Sequence, residues 1–160
     1  MSTAAIFTAY AYGTAFWYAL RGGCRVWDPL MVAGWFRPPA QATQSPTDLE
    51  LYNIHTDGWC LITLALILVS AVPSLSPSSS TLSSASSAPY AYARWLVAAT
   101  VFHHVATGYG AWQHYKLDTH YNTSMGIGVW GNVWLAATGA VTLGCLCLVG
   151  GGGVGERKMK

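Results

Sequence analysis

Past its polar head, the stretch LELYNIHTDGWCLITLALILVSAV (residues 49–72) carries no charge after Asp57. As a helix it is long enough to cross a hydrocarbon layer of ~30 Å. Three more segments have this property: residues 3–20, 90–115 and 124–149. The four together predict an all-α fold, a four-helix transmembrane bundle. The composition agrees, since only 9% of the residues are charged, where a soluble domain averages roughly 25%. The net charge of +2 is unclustered and gives no footprint for nucleic acid.

The intervening segments differ in kind. Residues 22–48 read as a loop, because WDP and FRPPAQATQSPTD contain helix breakers. Thr47 or Asp48 is an N-cap candidate for the second span. Residues 74–88 are a low-complexity serine linker. Residues 116–123, KLDTHYNT, form a short polar turn, and residues 151–160 a disordered basic tail. Residues 1–150 are thus read as one membrane domain. The first segment lacks the basic start of a signal peptide, so a retained helix is expected.

Four spans place the first loop and the KLDTHYNT turn on the same side. The head of span two and the end of span three then open on one face. Glu50, Asn53 and Asp57 follow i, i+3, i+7, and His55 and Trp59 lie on the neighbouring stripe. His55 and Asp57 sit roughly 9–12 Å along the helix from Leu49. An ionisable group at that depth normally faces the bundle interior. His55 and Asp57 are therefore the candidate acid/base pair, with His114 beside them. Glu50, Asn53, Trp59, His103 and Asn132 are the candidate substrate-binding residues. For Glu50 the structural alternative is service at the helix end, where an acid complements the macrodipole.

His103, Thr107, Gly110 and His114 share one face of span three. A buried imidazole there needs a partner, and Asn132 of span four is within reach. The glycines of span four, Gly126, Gly128, Gly131 and Gly139, suit close helix packing. The eight tryptophans gather near the span ends, as an aromatic belt does, and could also wall a ligand pocket. The four cysteines show no zinc-type spacing. No P-loop, HExxH, GxSxG or dinucleotide fingerprint is present, and no metal site is expected.

The stretches GTAFWYALRGGCRVWDP, YNIHTDGWCLITLALIL and HYNTSMGIGVWGNVWLAATGA occur in an order that resembles the small DoxX-like integral membrane proteins, fungal members included. The resemblance implies a four-helix bundle with a polar cluster at one end, and transfers no catalytic residue. Fungal proteins of this kind can accompany secondary-metabolite biosynthesis.

The expected function is that of a cofactor-independent membrane enzyme or accessory protein. It would act on a lipophilic small molecule, a terpenoid or polyketide, by proton transfer such as isomerisation or cyclisation. Its surroundings would be the lipid bilayer, in an endomembrane such as the endoplasmic reticulum. A second reading is a scaffold subunit that contacts other membrane proteins. A third is a haem-binding electron carrier using His55 with His103 or His104.

Overall fold

The computed structural model describes residues 2–75 and 88–151. Among them are five α-helices and no strand: α1 (Thr3–Trp27), α2 (Pro29–Phe36), α3 (Asp48–Ala71), α4 (Ala88–Tyr115) and α5 (Thr123–Gly151). Short 3-10 turns follow α2 and α3, at Pro39–Gln41 and Val72–Leu75. Of the serine linker expected at 74–88, residues 76–87 lie outside the described residues, as does the expected tail beyond Gly151; residues 74, 75, 88 and 151 belong to helical elements. Two helices, α3 and α5, are long and apolar enough to cross a membrane.

The first helix departs from its expected end. It runs through Arg21, Gly22 and Gly23 to Trp27, so much of residues 22–48 is helical. A glycine inside a helix costs only about 1 kcal/mol, and tertiary contact at Gly22 outweighs that. The chain turns instead at Asp28, whose side chain accepts a hydrogen bond from the backbone N–H of Met31 (2.8 Å). Pro29 then occupies the first position of α2, where its missing N–H is not needed.

The start of α3 is built as its sequence suggests. Thr47 Oγ1 accepts from the Glu50 N–H (3.2 Å), and a Glu50 carboxylate oxygen accepts from the Thr47 N–H (2.6 Å). This reciprocal capping box satisfies two donors that the first turn would leave open.

Each long helix buries one narrow stripe. In α1 the stripe is Phe7, Tyr10, Ala11, Thr14, Ala15, Tyr18, Gly22 and Arg25. In α3 it is Gly58, Leu61, Ala65, Leu68 and Ala71. The steps of three and four keep each set on one helical face. Outside the stripes the helices remain apolar: Leu66, Trp95, Phe102, Val105, Val141 and Leu148 are all exposed.

Helices α1 and α3 pack antiparallel, as do α4 and α5, and the two pairs meet where α1 lies against α5. Close approach depends on glycines. A Cβ at Gly22 would lie 2.7 Å from the Gly58 carbonyl oxygen, and one at Gly58 would lie 2.8 Å from Arg25 Cβ. At Gly139 of α5 a Cβ would lie 2.6 Å from Val101 and 2.8 Å from the Tyr10 hydroxyl. Small residues thus set the helix separations.

A polar chain runs through the interior where α1, α4 and α5 meet. Tyr10 Oη and Thr100 Oγ1 are 2.8 Å apart, and Tyr18 Oη and His104 Nε2 are 3.0 Å apart. His104 Nδ1 lies 3.0 Å from Asn132 Oδ1, while Asn132 Nδ2 donates to the Gly128 carbonyl (2.8 Å). Thr107 Oγ1 donates to the same Asn132 oxygen (3.1 Å). The amide nitrogen of Asn132 is committed to a carbonyl, so its oxygen must accept. His104 therefore carries its proton on Nδ1, and Nε2 accepts from the Tyr18 hydroxyl. Tyr18 and His104 are 0% and 1% exposed, so full satisfaction is required rather than optional.

Four substitutions test this packing in thermal unfolding of the purified protein. Gly58→Ala should lose about 1–3 kcal/mol through overpacking, although alanine is the better helix former. Gly13→Ala, where a Cβ meets nothing within 4 Å, should gain up to about 1 kcal/mol. Asn132→Leu should cost about 1–3 kcal/mol by stranding the His104 and Gly128 groups, and Tyr18→Phe about 1 kcal/mol.

Candidate ligand-binding cleft

The residues singled out on the polar face do not converge on one site. His55 and Asp57 are two apart on α3, a spacing that does not bring side chains together. Asp57 instead pairs with Arg25 of α1, Oδ2 to Nε at 2.7 Å. His55 is exposed, and its nearest ring is Trp59 at 6.2 Å. The proposed acid/base pair is therefore not assembled: its carboxylate serves as the counter-ion of an arginine.

Glu50 belongs to the helix cap and also holds Arg37, whose Nη2 donates to both carboxylate oxygens at 3.1 and 3.0 Å. Arg37 donates as well to the Gln44 carbonyl, and its own carbonyl accepts from Asn122 (3.2 Å). Arg37 thus ties the first loop to the α4–α5 turn. Asn53 and Trp59 are exposed. His114 is exposed, with its ring 5.7 Å from that of His120.

The histidine that reaches Asn132 is His104, not His103. The sequence gives two adjacent histidines, and one step on a helix turns the side chain by about 100°. His103 is left half-buried, edge-on to Tyr18 at 5.5 Å. Both ring nitrogens of His104 are occupied by Tyr18 and Asn132, which leaves no lone pair for a haem iron.

The open space lies along the α1–α5 seam. A groove of about 770 Å³ runs between Ile6–Trp17 of α1 and Gly131–Thr142 of α5. Its walls are chiefly apolar, among them Ile6, Phe16, Trp134, Leu135 and Val141. Gly13 opens its floor, since a Cβ there would meet nothing within 4 Å. Trp17 stands at one end of the groove with its ring against Gly131, where a Cβ would come within 3.2 Å. The Trp17 Nε1 atom is buried without a hydrogen-bond partner among the described residues.

Beyond Trp17 a second cleft of about 420 Å³ continues along the same face of α1. Leu20, Arg21, Cys24 and Arg25 line it from α1, Trp35 and Phe36 from α2, and Ile127 and Gly128 from α5. The Arg21 guanidinium lies 5.9 Å from the Trp17 ring, and that of Arg25 lies 5.6 Å from the Phe36 ring. Arg25 Nη1 also donates to the Arg21 carbonyl (3.1 Å).

Reading residues 22–48 as a loop hid this site. Trp17, Arg21 and Arg25 follow i, i+4, i+8, and that spacing signals a shared face only if the helix continues past Gly22 and Gly23.

Asp57→Asn should destabilise the protein by about 1–2 kcal/mol, because the buried Arg25 loses its counter-ion while Asp57 itself is half exposed. In a double-mutant cycle with Arg25→Gln, the double variant should lose less stability than the sum of the two single losses.

No curated protein and no solved structure matches the chain. A family model does: residues 10–147, from Tyr10 within the groove to the last turns of α5, match a domain of unknown function, DUF8792. That match takes in the glycine contacts, the buried polar chain, the second cleft and all of the first but Ile6 and Ala9, and the chain belongs to the DUF8792 family.

Proposed function

We propose that this protein is a four-span membrane protein that holds a lipophilic small molecule in the groove between α1 and α5. The observation that carries the reading is the groove itself, about 770 Å³ with apolar and aromatic walls. That volume falls in the range of small-molecule sites, roughly 300–1,000 Å³. The Trp17 ring closes one end of the groove against Gly131.

Membrane residence is supported by α3 and α5, which are long and apolar enough to cross. It is supported also by the exposed apolar side chains of α4, such as Trp95, Phe102 and Val105. A helix that is apolar on several sides belongs in a core or in lipid. With α1 and α4 as the other two spans, the antiparallel order places the capping box, Arg37 and the α4–α5 turn at one surface. Proton transfer by His55 and Asp57 finds no support in an Asp57 carboxylate already paired with Arg25.

The test uses Gly13. Replacing it with tryptophan puts a large ring into the groove from a position where a Cβ meets nothing, whereas Gly23, where a Cβ also meets nothing, does not line the groove. Purified wild-type protein and Gly23→Trp should release the same lipophilic compound on organic extraction, read by mass spectrometry. Gly13→Trp should release at least about fivefold less, as expected when a side chain occupies space the ligand needs. Equal recovery from all three would sink the reading.

A further inference from the structure

The cleft beyond Trp17 holds two arginines and, among the described residues, one carboxylate to balance them. Arg25 is matched by Asp57 at 2.7 Å. The third arginine of this end, Arg37, is matched by Glu50. Arg21 has neither ion pair nor hydrogen-bond acceptor among the described residues: its guanidinium lies over the Trp17 ring, and the nearby Asp57 carboxylate is taken up by Arg25, whose own charge repels Arg21. It is half-buried in a cleft otherwise walled by Leu20, Trp35, Phe36 and Ile127. A cation so placed has given up part of its hydration without a partner, which is unfavourable unless an anion supplies one. The guanidinium offers several N–H donors in a planar fork that suits phosphate or carboxylate oxygens.

This cleft is continuous in helix register with the apolar groove. Ile6, Tyr10, Gly13, Trp17, Leu20 and Cys24 succeed one another in steps of three and four along α1. From Ile6 to Arg21 is about 22 Å of helix, enough for a long alkyl or isoprenoid chain. Trp17 borders both spaces.

We propose that Arg21 binds the acidic head group of an anionic amphiphile whose apolar body lies in the α1–α5 groove. The proposal rests on the groove being a ligand site and adds the chemical class of the ligand: a phosphate or carboxylate on a long hydrophobic body. Arg25, neutralised by Asp57 and bonded to the Arg21 carbonyl, leaves Arg21 as the uncompensated charge of this wall.

Two probes of equal chain length isolate the charge: oleyl phosphate and oleyl alcohol. The full-length protein, freed of co-purified lipophiles, is placed in phosphatidylcholine nanodiscs and titrated with each, with binding read by native mass spectrometry. The wild type should prefer the phosphate by about tenfold or more, the scale of charge-assisted hydrogen bonds. Arg21→Gln should abolish that preference, Arg21→Lys should keep part of it, and Lys116→Gln, in the exposed α4–α5 turn, should leave it intact. Equal affinity of the wild type for both probes overturns the head-group assignment, as does a preference that survives Arg21→Gln. Gly13→Trp should weaken both probes alike. If it weakens neither while the phosphate preference stands, the groove reading fails and the Arg21 assignment holds without it. Phosphatidic acid added to the nanodiscs tells the source of the head group. Competition with oleyl phosphate marks a bilayer lipid, and lack of competition marks a monomeric amphiphile; either result supports an anion at Arg21.

Discussion

The bundle is held in register by what α1 brings to its neighbours. On one side its Gly22 meets Gly58 with almost no space between the helices. On the other its Tyr18 hydroxyl ends a hydrogen-bonded chain through His104 and Asn132. Apolar packing alone would let helices slide, because one methyl-bearing surface resembles another. A buried imidazole with a fixed tautomer does not allow that: any shift leaves a donor or acceptor unsatisfied in a dry interior. Tyr10, which bonds Thr100 of α4 about two turns before Tyr18, also lines the groove. The ligand-sized space is therefore framed by the most tightly specified helix of the fold.

Much of this was legible in the sequence where the signal is local. Thr47 as an N-cap candidate and Glu50 as an acid of the helix end are legible because both act within one turn, and the structure joins them in a capping box. The helical character of all four apolar segments follows from their length and their lack of breakers. The glycines of α5 were read as packing residues, and Gly131 and Gly139 do press on Trp17 and on Val101 and Tyr10. What misled were features whose meaning depends on a distant partner. The Gly22–Gly23 pair looks like a helix end, yet Gly22 is the contact point with Gly58, a residue 36 positions away.

The site shows the same division. The concentration of polar residues at the head of α3 is visible in the sequence, but their assignments are not. Asp57 looks like a candidate acid because nothing nearby in sequence neutralises it. Arg25 does so across the α1–α3 contact. His103 and His104 are equivalent to any pattern that tolerates a step of one residue, and only the rotation of α4 chooses between them. The arginine cleft is assembled from α1, α2 and α5, with Phe36 and Gly128 nearly a hundred positions apart. Local periodicity carries no trace of such a meeting.

The two tyrosine bonds of α1 have a consequence for biogenesis. Tyr10 and Tyr18 find their partners 90 and 86 residues further along the chain, in α4. During synthesis the α1–α3 hairpin is complete before Thr100 and His104 have left the ribosome. Until then two hydroxyls on its inward face lack the partners they have in the finished fold. The hairpin is thus a half-module that advertises its own incompleteness, and the arrival of α4 is what makes it dry.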